Sequence, residues 1–464
     1  MEGPDMDHLL ICGGRALNGT VDVSGSKNAA LPALAACLLS DGPVLLHRVP
    51  RLSDTESMCR LLSDLGCRIT RHGMLTWSDA STLGPVAPAE SGTIEIEVSD
   101  TSGDEPGVDI ARAMRASISV LGPMLARRGR VRLGLPGGCS LGDRPVDLHT
   151  RGLERLGARL HVEDGCLVGT VDGRLKGTTI FLGGAHGPTV LGTINVMSAA
   201  TLAEGTTRIV MAACEPEVKD CADLLIAMGA KIQGAGSSEI IIEGVERLGG
   251  ASHAVIPDRI EAGTFALAVA ACGGHVMLRG ARGDHLVALL DRLAEAGVHV
   301  ADAEGGLVVH ASRRPRGVEA HAWPYPGLPT DLQPQLTAML AVAEGRSMVV
   351  ENVFTKRFDY VPELSRMDAR IKVQDRTAVI EGLGSLVGAT VTCPDLRAGA
   401  ALVLAGLVAT GTTRVERIDH VDRGYERIER KLSSLGAEVE RVEARPRLSV
   451  MVAEAEPARS RQIA

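Results

Sequence analysis

Residues 135–149, LPGGCSLGDRPVDLH, set a thiol, Cys139, among Gly137, Gly138 and Gly142, just ahead of an Asp-Arg-Pro turn. A segment that bends so freely buries little core, so its sulfur and its charges suit a ligand better than packing. Five further places join charge to turn-forming residues: SGSKNAA around Lys27, ARAMRAS around Arg115, LPTDLQ around Asp331, NVFTKRF around Arg357, and the pair CPDLR and HVDRGYER with Asp395, Arg397, Asp422 and Arg423. Lys27, Asp331 and Arg397 each open an apolar run of helical period, where backbone N–H groups lack partners and attract anions. Taken singly, each has a plainer reading. Asp331 caps a helix, Asp395 and Arg397 form a cap and an ion pair, Arg115, Arg423 and Lys27 are solvated charges, and Cys139 is a packed thiol. Their joint occurrence at equivalent helix starts favours two bodies facing each other across a charged cleft.

The elements that must position these residues repeat along the chain. An Ala/Leu-rich run of helical period, a glycine, a short β-branched strand, and an amphipathic helix closing on a glycine and another strand recur in six copies. The first copy is AALPALAACLLSDGPVLLHRV with MCRLLSDLGCRI, and the last is ALVLAGLVATGTTRV with LSSLGAEV. The closing glycines fall at 66, 157, 229, 297 and 436, with Asp368 in the fifth slot, so the unit recurs every roughly 70 residues apart from a longer first interval. That interval holds SGTIEIEVSDTSGDEPG, which reads as an insertion extending a surface hairpin. Each closing glycine belongs where a helix must turn into a strand through left-handed backbone. The first helix of each copy is apolar nearly all round and predicts burial, so the chain reads as α/β, two domains of three units each.

Composition sets the outer limits. At 464 residues the chain is too long for one hydrophobic core and fits two domains of roughly 200 residues. Forty-nine basic against 57 acidic residues give a net charge of -8, and aromatics are only 2%, which removes both the basic footprint and the stacking platforms of a nucleic-acid binder. The acidic start, MEGPDMDHLLICGG, lacks the basic n-region of a signal peptide, and no window is apolar enough for membrane insertion. Ten cysteines without CxxC pairs or regular spacing read as small hydrophobes in a reducing, cytoplasmic compartment.

The strings GTVDVSGSKNAALP, MRAS, LPGGCSLGDRPVDLH, AATLAEGTT, IEGVERLGG, PDRIEAGTF, LPTDLQ, RFDYVPELSRM, DLRAGAALVLAG and HVDRGYERIERKL, in this order over nearly the whole chain, resemble the enolpyruvyl transferases. The resemblance implies two inside-out α/β domains of three βαβ-type repeats each, with the chain crossing between them twice. One domain would hold 27–257 and the Cys139 lid loop, the other 1–26 and 258–464, with the active site in the cleft between. It further implies transfer of the enolpyruvyl group of phosphoenolpyruvate to a hydroxyl of a uridine nucleotide sugar, UDP-N-acetylglucosamine, with release of phosphate, and neither metal nor cofactor.

By the same resemblance Lys27, Arg115, Arg144, Arg357, Arg397 and Arg423 supply cations to an anion of about three charges, and guanidinium forks suit its carboxylate and phosphate oxygens. Asp331 would take the acceptor's proton and Asp395 would face the reacting carbon, where positive charge develops. Cys139 would donate a proton or assist product release, with a lowered pKa beside the cations. Asn28 would contact the acceptor sugar, Arg144 and Asp147 would grip phosphate and uracil, and Pro145, Val146, Leu148 and Val353 would complete the substrate site. The stretch HGPTVLGTIN, 186–195, departs from the family pattern: Gly187 stands for a lysine and Leu191 for a glycine that hold the nucleotide's diphosphate. This leaves open another acceptor, such as uridine monophosphate in nucleoside-antibiotic assembly.

Overall fold

Six apolar helices, Lys27–Ala36, Leu121–Arg128, Val190–Ala200, Arg259–Cys272, Gln333–Leu340 and Leu396–Leu407, open the six repeats. The computed structural model describes residues 7–72, 92–135, 137, 146–185 and 187–444. Gln333–Leu340 is buried along its whole length, whereas Leu121–Arg128 is buried only from Leu121 to Leu125 and ends in Arg127 and Arg128. A helix apolar on every side has no face to give to water, so it must be enclosed by other elements.

The enclosing walls are small mixed sheets. In the fourth unit Gly274–Arg279 pairs parallel with Leu17–Asp22 and antiparallel with Gly306–Ala311, which pairs antiparallel with His299–Ala303. The third and fifth units repeat that pattern around Thr206–Val210 and Arg346–Glu351. Units are also completed from distant sequence. Ala251–Ala254 lies parallel to Val44–His47 in the first, and His8–Cys12 is a central strand of the sixth, between Thr412–Glu416 and Glu438–Val442. Inward side chains alternate with outward ones, as in Glu239–Glu243, where Ile240 and Ile242 are buried and Ile241 is not.

The buried side chains form two separate cores. One runs from Ala29 to Val255, and the other joins Leu9–Val23 to Ile260–Ala437. The chain passes between them twice, at 24–28 and 256–259, and the two crossings lie side by side: Ser26 N–H donates to Ile256 O and Asp258 N–H to Ser24 O, both at 2.8 Å. Gly25 sits where they cross, so close to Arg48 that a Cβ there would lie 1.7 Å from its carbonyl oxygen. Each crossing runs straight into a buried helix, at Lys27 and at Arg259.

The repeat punctuation is visible in the backbone. The closing glycines all have positive φ, and Asp368, the one non-glycine in the series, takes φ 67°. An aspartate tolerates this region better than most side chains because its short carboxyl bonds locally. One expectation fails. Within the stretch read as an inserted hairpin, Thr93–Val98 is the third strand of the first sheet, antiparallel to both Val44–His47 and Cys67–His72, with Ile94 and Ile96 in the core. Its alternation of isoleucine with glutamate is the pattern of a half-buried strand, which the surrounding Gly, Ser and Asp residues obscured.

Candidate active site

The two crossings deliver their helix starts to one spot. Ser26 caps Lys27–Ala36 through a bond from Ala29 N–H at 3.3 Å, which fixes the first turn and points Lys27 and Asn28 out of it. Asp258 caps Arg259–Cys272 with Oδ1, which accepts from Ile260 N–H at 2.8 Å and Glu261 N–H at 3.1 Å. Its Oδ2 accepts the backbone N–H of Lys27 at 3.3 Å, tying the two starts together.

Asp331 is the centre of the charged cluster. It lies in the 3-10 turn Thr330–Leu332 ahead of Gln333–Leu340, between two nearly inaccessible guanidinium groups. Arg357 Nη2 donates to Oδ1 at 3.1 Å, while Arg397 Nη2 at 3.0 Å and Asn28 Nδ2 at 3.4 Å donate to Oδ2. Arg357 also donates twice to Thr330 O, at 3.2 and 3.1 Å, so the backbone and the carboxylate of the turn share one cation. Glu351 shapes the adjoining loop: Oε1 accepts from Val353 N–H at 2.7 Å and Oε2 from the Thr330 hydroxyl at 2.8 Å.

Arg397 follows a second capping aspartate. Asp395 Oδ1 accepts from Arg397 N–H at 2.7 Å and Ala398 N–H at 3.1 Å, so this carboxylate is the N-cap of Leu396–Leu407. The Arg397 guanidinium lies 5.5 Å from the ring centre of Tyr425, whose hydroxyl is held by Gln335 and Thr264. Burial opposes the charge on Arg397, but Asp331, with Asp258 nearby, outweighs it and holds the pKa above the ordinary arginine value. Its Nη1 is buried with no hydrogen-bond partner among the described residues. A buried charged donor left without a partner costs about 1–3 kcal/mol or more, so an anionic oxygen that reached Nη1 would relieve that cost.

Lys27 and Arg423 meet on one carboxylate that the sequence reading missed. Asp54, in the first turn of Ser53–Asp64, accepts from Lys27 Nζ at 3.1 Å and from Arg423 Nε at 2.9 Å. A signal existed for another missed group: PDRIEAGTF puts Asp258 and Arg259 in the same helix-start slot as Lys27 and Arg397. Arg259 makes a buried paired contact with Glu217, at 2.9 and 3.2 Å, joining the two cores. For Asp54 the sequence offers only a charge at a helix start.

The other expected residues lie elsewhere or cannot be placed. Cys139, Arg144 and Pro145 fall outside the described residues. Asp147 opens the helix Asp147–Arg155, flanked by Val146 and Leu148 and exposed to solvent. Arg115 opens the 3-10 helix Arg115–Val120 and lies near His149, whose imidazole is pushed down to about 3 by burial first and Arg115 second. At the divergent stretch, Gly187 takes φ +95°, and a Cβ there would stand 3.3 Å from Pro324 of the other core. Leu191 is the second residue of Val190–Ala200, whose N-cap Thr189 accepts from Gly192 N–H at 3.2 Å.

The sequence and the fold match known proteins. The family model for EPSP synthase (3-phosphoshikimate 1-carboxyvinyltransferase) matches residues 11–432. Curated proteins named UDP-N-acetylglucosamine 1-carboxyvinyltransferase are 48% identical: one from Akkermansia muciniphila over 439 residues, covering 94% of this chain and 99% of that one, and one from Anaeromyxobacter sp. (strain K) over 438 residues, covering 94% and 100%. Among solved structures, the enolpyruvyl transferase NikO from Streptomyces tendae superposes with a TM-score of 0.81 at 24% identity, covering 95% of this chain and 100% of that one. EPSP synthase from Acinetobacter baumannii does so with 0.68 at 19%, covering 94% and 100%. With the fold shared across that range and sequence identity sustained over almost the whole length, the chain belongs to the EPSP synthase family of enolpyruvyl transferases.

Proposed function

We propose that the protein transfers the enolpyruvyl group of phosphoenolpyruvate to the 3-hydroxyl of UDP-N-acetylglucosamine and releases phosphate, a cytoplasmic step of peptidoglycan precursor synthesis. The observation that carries the reading is Asp331 held between Arg357 and Arg397 beside Asn28, a carboxylate set among cations that suit a polyanion. Identity of 48% to the curated relatives over 94% of the chain supports the acceptor.

The two cores act in this reading as two domains, 27–257 and 1–26 with 258–464, and substrate binds where their helix starts converge. Arg397 and Arg357 hold anionic oxygens of phosphoenolpyruvate, with Lys27, Arg115, Arg144 and Arg423 completing the charge. Asn28 orients the acceptor sugar. Asp331 accepts the proton from its hydroxyl as the oxygen bonds to C2, while Cys139 delivers a proton to C3. Asp395 stabilises the positive charge that builds at C2, and the tetrahedral phosphate adduct then loses C3's proton and inorganic phosphate together to leave the enol ether. Asp147, Val146, Leu148, Pro145 and Val353 bind the nucleotide.

Phosphate release from phosphoenolpyruvate tests the reading with UDP-N-acetylglucosamine, uridine monophosphate and 3-phosphoshikimate as acceptors. Turnover with the sugar nucleotide is expected. Uridine monophosphate is included because Gly187 brings no side chain toward a diphosphate, and turnover with it alone would replace the proposed acceptor.

A further inference from the structure

Two cations of the cluster, Lys27 and Arg423, meet on a carboxylate other than Asp331. Lys27 and Arg423 come from different cores, and like charges brought together in a largely buried site repel strongly unless an anion lies between them. Asp54 is that anion. The residue is only 6% exposed, and its two carboxylate oxygens divide the work, Oδ2 for Lys27 and Oδ1 for Arg423. The turn that presents it is locked by Thr55, whose hydroxyl accepts from Leu52 N–H at 3.1 Å and lies 2.8 Å from both Pro50 O and Leu52 O.

We propose that Asp54 is a positioning residue of the anion site, gathering Lys27 and, across the two cores, Arg423 so that both stay charged and spaced to meet the substrate's phosphate. The inference rests on the reading of this cluster as the phosphoenolpyruvate site. The charges around Lys27 come from four elements. Asp54 comes from Ser53–Asp64, Arg397 from Leu396–Leu407, Arg423 from the turn Val421–Arg423, and Asp258, which takes the backbone N–H, from the start of Arg259–Cys272. Burial is the largest influence and favours the neutral amine, Asp54 opposes it, and Arg397 and Arg423 add to it, leaving Lys27 below the ordinary lysine value. Without Asp54 all the dominant influences would act in one direction, and the ammonium would lose its proton at lower pH. Asp54 itself is penalised by burial, yet Lys27 and Arg423 hold its carboxyl below the usual range, so it is the charged form that does this.

Two readouts on the full-length protein test the role. The first is the pH dependence of kcat/KM for phosphoenolpyruvate with UDP-N-acetylglucosamine. The second, made without substrates, is the pH dependence of Lys27 carbamylation by cyanate, followed by peptide mass spectrometry with exposed Lys356 as reference. In Asp54→Asn the alkaline limb of activity and the labelling midpoint of Lys27 both move to lower pH by about one unit, a tenfold loss of proton affinity. KM rises more than kcat falls, and Asp54→Glu restores much of both. A uniform loss at all pH values, with the Lys27 midpoint unmoved, would overturn the proposal and leave Asp54 a structural cap. Should Asp54→Asn not fold, Arg423→Gln reads the same trio, since relief of repulsion must shift the Lys27 midpoint to higher pH, and an unmoved midpoint again overturns it. If the wild type turns over no acceptor, the functional reading fails, while the labelling still decides the role of Asp54.

Discussion

The side-chain amide of Asn28 donates to the carboxylate of Asp331 across 3.4 Å of space and 303 positions of sequence, one beside Ala29 of the first hydrophobic core and the other beside Leu332 of the second. The contact makes the geometry of the proposed site depend on how the two cores meet. Asp331→Asn keeps the shape of the side chain but cannot accept the acceptor's proton, so kcat is expected to fall about 10²- to 10⁴-fold. Asn28→Ala is expected to act mainly on KM for the sugar nucleotide. Steady-state kinetics with each substrate varied separates the two, and a kcat within a few-fold of wild type in Asp331→Asn would remove Asp331 as the base.

Arg397 offers a sharper test than a simple deletion. Its fork engages Asp331 through Nη2, lies against Tyr425, and has a buried Nη1 with no hydrogen-bond partner among the described residues. A lysine can keep the charge and one bond, but not the planar fork, so Arg397→Lys is expected to raise KM for phosphoenolpyruvate at least tenfold with a smaller change in melting temperature. Near-normal KM in this variant would mean that only charge matters at this position.

The legible part of this protein was its periodicity. Six apolar helices and six closing positions with positive φ followed from composition and spacing, because a residue enclosed on all sides must be apolar and a helix that reverses into a strand requires left-handed backbone. Thr93–Val98 was misread because its flanks carry turn residues, although its own alternation of isoleucine and glutamate was regular. In the site, Lys27, Asn28, Asp331, Arg357, Arg397 and Arg423 do converge: Lys27, Asp331 and Arg397 stand out locally as helix starts, Arg357 and Arg423 as charges beside turn residues, and Asn28 only through the family resemblance. Asp54 was not legible: its importance comes from Arg423, 369 positions away, and no local pattern encodes a partner at that separation. The capping role of Asp395 was legible from the start.

His149 gives a prediction about stability and pH. Asn195 Nδ2 donates to its Nδ1 at 2.9 Å, and Asn195 is itself held by Gly122 N–H and Ile118 O, which leaves the neutral imidazole as the form that fits. Its pKa falls from 6.5 to about 3, so the folded protein refuses a proton that the unfolded chain accepts. The contribution is therefore fully present above about pH 6.5 and is lost as pH falls toward about 3, at about 1.4 kcal/mol per pH unit. Denaturant unfolding of wild type and His149→Gln between pH 4 and 7 should show a shallower slope in the variant. Equal slopes would mean that other groups dominate acid sensitivity.

The last prediction concerns Cys139 and the nine cysteines around which it must compete. Burial pushes the thiols of Cys59 and Cys67 up to about 11 and that of Cys221 to about 12, and Cys37 and Cys393 are also raised, so these sulfurs hold almost no thiolate at neutral pH. Reactivity toward an electrophile follows the thiolate fraction and access. A thiol among Gly137, Gly138 and Gly142 and ahead of Arg144 has neither obstacle in its sequence surroundings. The phosphonate epoxide fosfomycin carries the kind of anion that the arginines of this cluster suit, and they would hold its epoxide for attack by sulfur. One adduct, on Cys139, is therefore expected, forming faster when UDP-N-acetylglucosamine is present. Peptide mass spectrometry after timed exposure reads it directly, and labelling spread over several cysteines, or no gain in rate with the nucleotide, would sink the assignment. Cys139→Asp should resist the epoxide yet keep turning over, because a carboxyl group can still deliver a proton to C3 but attacks an epoxide poorly. Complete loss of activity in that variant would show that the reaction needs the sulfur itself.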